Sequence, residues 1–480
     1  MSVATALALW QEGRSREALA EAWAAYDAAP DGRAEKVLAA RILKEYPEAL
    51  TADRVPALLA LLGDRDINPG ALSAAGWRHL RRDSDLLDAA PEAMARRLEA
   101  SPLALALLNE DIVAGLEIEL PLTAMRRWML LAERWRDFPR LADALRAQAA
   151  MNSGAWLFGD DERARLSAAG AFADAFLPPR PSLSRHAELA DPVTRAVAEQ
   201  YEVWPYPMWK RVMANTPTSM ATRVREMDPD GPDTIPTPAD ILIAGCGTGR
   251  QVALQARRLP GDRLTAIDVS RTSLRYAAER CAEAGLDGIA FRELNLLEVG
   301  TLGRRFDAIL CTGVLHHLAE PEKGWAALAA ALKPGGVMHV MLYSRIARLS
   351  IRALRRSLGA LAGETVDDDV LRAIRRRVMA LPPAAVPRSR DFHTLPGVYD
   401  LLVHQHEDPF DVPRIQKALG DLGLQLIHFG MSKQRFTARY RAENPHDPLQ
   451  RDFAAWARAE RDNPRLFASM YDFWCRKPLA

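Results

Sequence analysis

Residues 241–249 read ILIAGCGTG, four apolar residues followed by glycines at three alternate positions. The apolar run predicts a buried strand, and the chain then continues with the residue spacing of a helix. Glycine tolerates positive φ and, having no Cβ, lets a ligand lie against the backbone, while the helix N-terminus presents free N–H groups. Taken alone, the glycines also fit a tight structural turn. As a ligand-binding turn, the stretch uses Gly245, Cys246, Gly247 and Gly249.

Around this stretch, short apolar runs alternate with helical patterns. The predicted strands are residues 241–244, 263–267, 289–294, 306–311 and 337–342, and the predicted helices are 250–258, 273–284 and 321–332. This alternation predicts a parallel sheet with crossover helices. Runs at 424–429 and 435–440 add two strands, after a helical insertion at about 344–413. Residues 239–445 are therefore predicted to form an α/β, Rossmann-like domain with seven strands.

The remaining regions have other characters. Residues 1–190 place apolar residues at three- and four-residue spacing and predict an all-α region. Its Ala-rich helical pairs have a weak likeness to tetratricopeptide repeats, and a plain helical bundle is the alternative. The PPRP run at 178–181 predicts a linker, residues 191–238 an aromatic and Pro-rich linker or lid, and residues 446–480 a helical tail.

Polar residues follow the next predicted strands. Asp268 and Val269 end the second strand about 20 residues after the glycines, where a carboxylate accepts the ribose hydroxyls of a nucleoside. The alternative role of Asp268 is a helix N-cap. After the third strand, Asn295 is placed to meet an adenine amino group while Leu296 packs on its ring. Thr312 and Gly313 leave the fourth strand at the carboxyl edge, where ligands of α/β sheets bind.

Four segments together carry a family resemblance: IAGCGTG at 243–249, AIDVS at 266–270, FDAILCTGVLHHL at 306–318 and LKPGGVMHV at 332–340. In order and spacing they resemble the class I S-adenosylmethionine-dependent methyltransferases. The resemblance implies that the glycine loop wraps the methionine portion, that Asp268 holds the ribose, and that Asn295 and Leu296 flank the adenine. Two residues depart from the family pattern, since Ala244 stands where an acid is frequent and Asn295 where an Asp is frequent.

Three further stretches resemble bacterial proteins that join a tetratricopeptide-like N-terminal region to a methyltransferase. They are QYEVWPYPMW at 200–209, RDFHTLPG at 390–397 with LVHQHE at 402–407, and MYDFWCRK at 470–477. In the first, Tyr201 and Trp209 belong to an aromatic cluster with Trp204 and Tyr206. We expect this cluster to cover the cofactor, through either the sulfonium or the adenine. The alternative is that it packs the linker against the sheet.

Methyl transfer from a sulfonium is an in-line displacement, for which the enzyme supplies proximity and alignment. A base is required only when the acceptor must lose a proton. His316 and His317 follow the fourth strand and are the predicted candidates for that base, with pocket shaping or helix capping as the alternative. The pair His404 and His406 lacks a third ligand at a recognisable spacing, so no metal is predicted.

The composition of the chain narrows the classes of partner and the cellular location to be expected. Lys and Arg number 63 and Asp and Glu 62, for a net charge of +1, which removes the strongest sign of general nucleic-acid affinity. The basic run at 344–356 predicts a solvated helix face, with an acidic substrate, RNA or a membrane surface as alternatives. Four scattered cysteines form no CxxC pair, and the N-terminus has no signal pattern. With no apolar run long enough for a membrane span, a cytoplasmic protein is expected.

The sequence thus predicts transfer of a methyl group from S-adenosylmethionine to an unidentified acceptor, a small molecule rather than a macromolecule. One alternative is a cofactor-binding protein without turnover that recruits a protein partner through its N-terminal helices. A second is a nicotinamide-dependent oxidoreductase, which the G-x-G-x-G spacing disfavours because the dinucleotide fingerprint is G-x-G-x-x-G.

Overall fold

The computed structural model describes residues 2–82, 86–168, 176, 186, 189–213, 216–359, 366–430, 434–468 and 470–479. The chain divides into two compact units. The first, here called the helical unit, comprises Met1–Arg180, Met208–Thr216 and Ala360–Leu401. The second, called the sheet unit, comprises Pro181–Pro207, Pro217–Gly359 and Leu402–Ala480. The predicted insertion at 344–413 is therefore shared, because its middle part belongs to the helical unit.

The sheet unit contains a seven-stranded sheet in the order β3-β2-β1-β4-β5-β7-β6. The strands are β1 Asp240–Ala244, β2 Arg263–Asp268, β3 Ala290–Glu293, β4 Phe306–Thr312, β5 Leu332–Leu342, β6 Gln425–Gly430 and β7 Tyr471–Arg476. Strands β1 to β5 pair in parallel, and β7 runs antiparallel to both β5 and β6. Residues 241–244 are fully buried, as expected for a strand covered on both faces. The predicted Rossmann-like α/β fold is confirmed.

Helices surround this sheet and build the helical unit. Among the described residues the α-helices are α1 Val3–Gln11, α2 Ser15–Ala28, α3 Arg33–Glu45, α4 Val55–Gly63, α5 Ser73–Arg82, α6 Pro91–Glu99, α7 Pro102–Glu110, α8 Leu116–Leu131, α9 Pro139–Asn152, α10 Asp160–Ala168, α11 Pro192–Val203, α12 Met220–Met227, α13 Arg250–Arg258, α14 Arg271–Glu283, α15 Pro321–Ala331, α16 Leu349–Leu358, α17 Asp368–Met379, α18 Leu395–Val398, α19 Val412–Asp421, α20 Gln434–Glu443 and α21 Phe453–Asp462. Short 3₁₀ turns lie at Pro47–Ala49, Ala52–Arg54, Pro69–Ala71, Arg134–Asp137, Leu296–Leu302, Leu315–His317 and Arg390–His393, and a π-helical turn at Tyr399–Val403. No described helix combines the length and apolar composition that crossing a bilayer requires.

Each unit has its own hydrophobic core. In the sheet unit, large aromatic side chains fill one face of the sheet, with Trp325, Phe429, Trp456 and Phe473 fully buried. The core of the helical unit is built mainly from Leu and Ala of α2 to α9. Its small residues allow the helices to approach closely, which is the physical basis of the Ala-rich pattern in the first 150 residues.

A buried ion cluster joins α8 to α17 within the helical unit. Nη1 of Arg375 donates to Oε1 of Glu119 at 2.6 Å, and the His393 ring nitrogen Nδ1 lies 2.9 Å from the same carboxylate. Arg375 also donates to the backbone oxygens of Phe392 and Ala155. These contacts attach the middle of the insertion to the N-terminal helices.

Two parts of the predicted organisation are wrong. Residues 435–440 lie in α20, where Arg439 and Glu443 form an i,i+4 pair at 2.7 Å, rather than in a strand. The last strand is β7, inside the predicted helical tail 446–480, of which only α21 is an α-helix among the described residues. Tyr471, Phe473 and Trp474 are strand formers. The strand pairs with β5 and β6 simultaneously, a tertiary contact that local patterning does not reveal.

The predicted linkers also differ from expectation in detail. Residues 191–238 contain α11 and α12 rather than only irregular chain. The PPRP run at 178–181 lies outside the described residues.

Candidate active site

The glycine loop lies at the carboxyl end of β1, and its three glycines have different roles. All adopt positive φ, with values of 65° at Gly245, 51° at Gly247 and 79° at Gly249. A Cβ on Gly245 would lie 2.4 Å from Val314, and one on Gly249 would lie 2.5 Å from Ala277. At Gly247 the only such neighbour among the described residues is a backbone oxygen at 3.1 Å. The outer glycines therefore pack against side chains, while the middle one lies close to the Tyr206 carbonyl oxygen and meets no side chain of the described residues.

Asp268, at the end of β2, is tied to this loop. One carboxylate oxygen accepts the Gly247 N–H at 2.8 Å, and the other accepts the Ser270 N–H at 2.9 Å. Burial raises the pKa of the Asp268 carboxyl, against the lowering effect of these two N–H donors. A carboxylate has about four lone-pair directions, so two bonds to the backbone leave acceptor capacity for the hydroxyls of a ribose. Val269, the next residue, is half-buried at the same edge.

The predicted site residues after β3, Asn295 and Leu296, also make contacts within the protein that the sequence did not predict. Oδ1 of Asn295 accepts the Leu297 N–H at 3.0 Å, which caps the 3₁₀ turn Leu296–Leu302. Among the described residues its amide nitrogen has no acceptor, and Oδ1 keeps a second lone pair, so the side chain can still both donate to and accept from an adenine. Leu296 is buried in the core of the sheet unit, next to Gly324 of α15.

The end of β4 is joined to the glycine-loop helix. The Thr312 hydroxyl donates to Oε1 of Gln251, in α13, at 2.6 Å. The N–H of Gly313 donates to the Met341 carbonyl at 3.0 Å, and its φ is 75°. Both residues therefore border the edge at which the glycine loop and Asp268 lie.

Residues 201–207, here called the strap, run along the same edge. Glu202 accepts the Arg271 N–H at 2.6 Å and the Thr272 hydroxyl, so its carboxylate caps α14. The hydroxyl of Thr248, within the glycine loop, donates to the Pro207 carbonyl. The strap thus contacts the chain after β1 and after β2.

The predicted aromatic cluster is divided between the two units. Tyr201, Trp204 and Tyr206 belong to the sheet unit, whereas Trp209 belongs to the helical unit and is buried. The geometry of the strap supports Tyr201 as a residue of the cofactor edge. The role of Trp209 at that edge stays a prediction.

A cluster of rings follows β4 and β5. His317 and His404 stack with their centroids 3.8 Å apart and an interplanar angle of 19°. The His316 ring contacts Tyr343, at 4.0 Å, and His317, at 4.3 Å. The Arg348 guanidinium lies 4.1 Å from the centroid of the Tyr343 ring. The two predicted catalytic histidines therefore form part of a packed aromatic layer.

Hydrogen bonds assign the protons of these histidines. Burial lowers the pKa of His317 to about 3 and those of His316 and His404 well below the ordinary value, so all three are neutral near pH 7. Nδ1 of His316 accepts the Tyr343 N–H at 3.2 Å, which places its proton on Nε2. Nδ1–H of His317 donates to the His406 carbonyl at 2.8 Å, which leaves Nε2 unprotonated. Of His316 and His317, it is His317 whose Nε2 is unprotonated, as a proton acceptor requires.

Two members of this edge were not predicted as site residues. Glu202 and His404 gain their roles only from contacts with residues distant in sequence, at Arg271 and His317. The sequence signals that marked them were the QYEVWPYP and LVHQHE stretches, which indicate importance without indicating geometry.

Comparison with known proteins agrees with the geometry. Residues 242–338 match the model of a family described as a methyltransferase domain. A Synechococcus protein of uncharacterised function is 33% identical over 275 residues, covering 53% of this chain and 64% of the relative. The ubiquinone biosynthesis O-methyltransferase of Caulobacter vibrioides is 37% identical over 106 residues, covering 22% of this chain and 41% of the relative. The chain thus spans less than two thirds of the length of these relatives.

One solved structure completes the comparison. PKMT2 of Rickettsia typhi in complex with AdoHcy is 15% identical, with a TM-score of 0.39 over 54% of each chain.

Proposed function

We propose that this chain transfers a methyl group from S-adenosylmethionine to an acceptor, and that the acceptor is a small molecule. The observation that carries the proposal is the contact, at one edge of the sheet, between the glycine loop and the Asp268 carboxylate, which accepts the Gly247 N–H. The family match over residues 242–338 covers both residues and supports the same conclusion. The ubiquinone biosynthesis O-methyltransferase match supports a small acceptor, over about a fifth of this chain.

The chemical types of the residues at this edge suit the successive parts of S-adenosylmethionine. In this proposal the backbone of Gly245, Cys246, Gly247 and Gly249 holds the methionine portion, Asp268 and Val269 the ribose, and Asn295 and Leu296 the adenine, while Thr312, Gly313 and Tyr201 border the methyl group. The cofactor supplies an electrophilic methyl group, and the chain supplies alignment and a site from which water is excluded. Among the three glycines, Gly247 is the one at which a Cβ would meet no side chain of the described residues, only the Tyr206 carbonyl oxygen at 3.1 Å, so its side of the loop is the least enclosed by side chains.

We propose that His317, with His316 beside it, contacts the methyl acceptor. The His406 carbonyl fixes the proton of His317 on Nδ1, so its Nε2 accepts a hydrogen bond from an acceptor hydroxyl or amine. A pKa of about 3 makes this imidazole a weak proton acceptor. We therefore expect it to orient the acceptor in the ground state rather than to hold a proton at neutral pH.

The proposed bacterial origin and the proposed cellular location rest on separate observations. A bacterial origin is supported by the Synechococcus and Caulobacter relatives. A reducing, cytoplasmic location is supported by the four cysteines, which are all buried free thiols. The tetratricopeptide-like character of the N-terminal helices, and a protein partner bound by them, stay predictions.

The test is transfer of label from S-adenosylmethionine that carries a radioactive methyl group. The protein is incubated with cell extract separated into small molecules and macromolecules. Label in a small-molecule product supports the proposal, and Gly247→Val is the matched inactive control. Cofactor that binds but transfers no label to either fraction would instead favour the cofactor-binding interaction protein.

A further inference from the structure

Tyr201 crosses the carboxyl edge of the sheet from β2 to β4. Its backbone oxygen accepts the hydroxyl of Ser270, which follows β2, at 3.3 Å. Its phenol oxygen lies 3.2 Å from Nε2 of His404, and His404 stacks on His317, which follows β4. In the sheet, β1 lies between β2 and β4. The Tyr201 side chain therefore extends across the end of β1, where the glycine loop begins.

The neighbouring part of the strap agrees with this placement. The Tyr206 carbonyl lies 3.1 Å from the position that a Cβ of Gly247 would occupy, and the Pro207 carbonyl accepts the Thr248 hydroxyl. The strap is thus in contact with the loop that the cofactor proposal depends on.

The hydrogen bonds define how the phenol is held. The His406 N–H donates to Nδ1 of His404 at 3.1 Å. Because His404 is neutral, its proton lies on Nε2, which donates to the Tyr201 oxygen. The stack with His317 fixes the plane of the His404 ring, and the His406 carbonyl fixes that of His317. His404 and His317 therefore determine where the Tyr201 ring lies.

The charges at this edge favour a cation. Glu202 is a carboxylate of the strap, and it contributes to the raised pKa of Asp268, the carboxylate at the end of β2. The three histidines add no positive charge near neutral pH, because burial keeps them unprotonated. Arg348 and Arg355 are the cations that act on these rings, and both pair with the Glu407 carboxylate, which offsets part of their charge. An aromatic face within about 6 Å attracts a cation through its quadrupole, more strongly when water is excluded.

We propose that Tyr201 recognises the sulfonium of the methyl donor and so distinguishes the charged donor from the neutral thioether product, with His404 and His317 as positioning residues. This inference rests on the proposed function and deepens it. Recognition of this kind strengthens binding before transfer and weakens it afterwards, since the product has lost the positive charge. Tyr201 is then the residue that favours exchange of product for fresh donor.

The test compares two probes by calorimetry, S-adenosylmethionine and S-adenosylhomocysteine, on the full chain. In Tyr201→Leu the ratio of the two affinities should fall about tenfold toward the neutral probe, whereas Tyr201→Phe should keep it within about threefold. Tyr46→Leu is the matched control, because Tyr46 is a half-buried tyrosine of the helical unit. The positioning role predicts that His404→Leu lowers the ratio and that His404→Gln, which retains an N–H donor, largely restores it.

The outcomes separate the two proposals. A wild-type protein that binds neither probe contradicts the proposed function itself. If the wild-type protein binds both probes and Tyr201→Leu loses both affinities by the same factor, Tyr201 does not distinguish the charged donor from the neutral product, and the inference is overturned. An equal fall in the ratio of the two affinities in Tyr201→Phe and Tyr201→Leu also overturns the inference, because the aromatic ring would then not be the recognition element.

Discussion

The Asp268 carboxylate accepts the N–H of Gly247 at 2.8 Å and thereby joins the ends of β2 and β1. The same side chain is the proposed ribose ligand, so it both shapes the glycine loop and contacts the cofactor. Ser270 N–H, on the second carboxylate oxygen, holds it in this orientation. Loop geometry and nucleoside recognition therefore depend on one residue.

Asp268→Ala should weaken S-adenosylmethionine binding by about tenfold or more. A hydrogen bond to a charged group contributes roughly 1.5–3 kcal/mol, and the Gly247 N–H also loses its acceptor. Calorimetry measures the effect, with Asp287→Ala as the control, because Asp287 is exposed beyond the end of α14. Unchanged affinity in Asp268→Ala would remove Asp268 from the site.

Gly247→Val should abolish binding while the protein still folds. Its φ of 51° strains any residue with a Cβ, and the branched side chain would press on the Tyr206 carbonyl, 3.1 Å from the Cβ position, and displace the loop that holds the ligand. Gly288→Val is the matched control, since Gly288 has a φ of 76° and a Cβ added there would meet no described atom within 4 Å. We expect both variants to lose roughly 1–2 kcal/mol of stability from the left-handed backbone, measured by urea denaturation.

Only the change at Gly247 should affect the cofactor. Normal S-adenosylmethionine affinity in folded Gly247→Val would show that the loop has been placed wrongly.

Much of this edge could be predicted because its chemistry is local in sequence. The glycine loop, Asp268 and the end of β4 each lie within a strand-and-turn segment that carries its own pattern, and the structure places all three at one edge. The strand β7 could not be found in this way, because its pairing with β5 and β6 is made only in the folded sheet. The stack of His404 on His317 is hidden for the same reason, since 86 residues of chain lie between the two rings.

Acid should destabilise the sheet unit through its buried histidines. The folded-state pKa of His317, about 3, is below the unfolded value of about 6.5, so the unfolded chain binds more protons between these values. Stability therefore falls as pH decreases from about 6.5 toward 3, with a contribution of about 2 kcal/mol lost from this residue at pH 5. Urea denaturation at pH 7 and pH 5 measures the loss.

A change of His317 to Asn should reduce this pH dependence, because the group that titrates is removed. His446→Asn is the control, since its side chain is 62% exposed. Equal pH dependence in wild-type and His317→Asn proteins would contradict the protonation state assigned to His317.

Arg375→Met should destabilise the helical unit by about 3–5 kcal/mol, because it leaves the Glu119 charge buried without its main partner. Both side chains are almost fully buried. Thermal unfolding followed by calorimetry measures the loss. The double change Glu119→Leu with Arg375→Met should recover most of the stability, since no unpaired charge remains; a double variant no better than the single one would refute this interpretation of the pair.

The central claim is that the edge formed by the glycine loop and Asp268 binds S-adenosylmethionine. The most direct measurement is isothermal calorimetry of the purified full chain with S-adenosylmethionine, with NAD as the control ligand. We predict micromolar binding of S-adenosylmethionine and no binding of NAD. Folded protein that binds NAD, or that binds neither ligand, would contradict the claim.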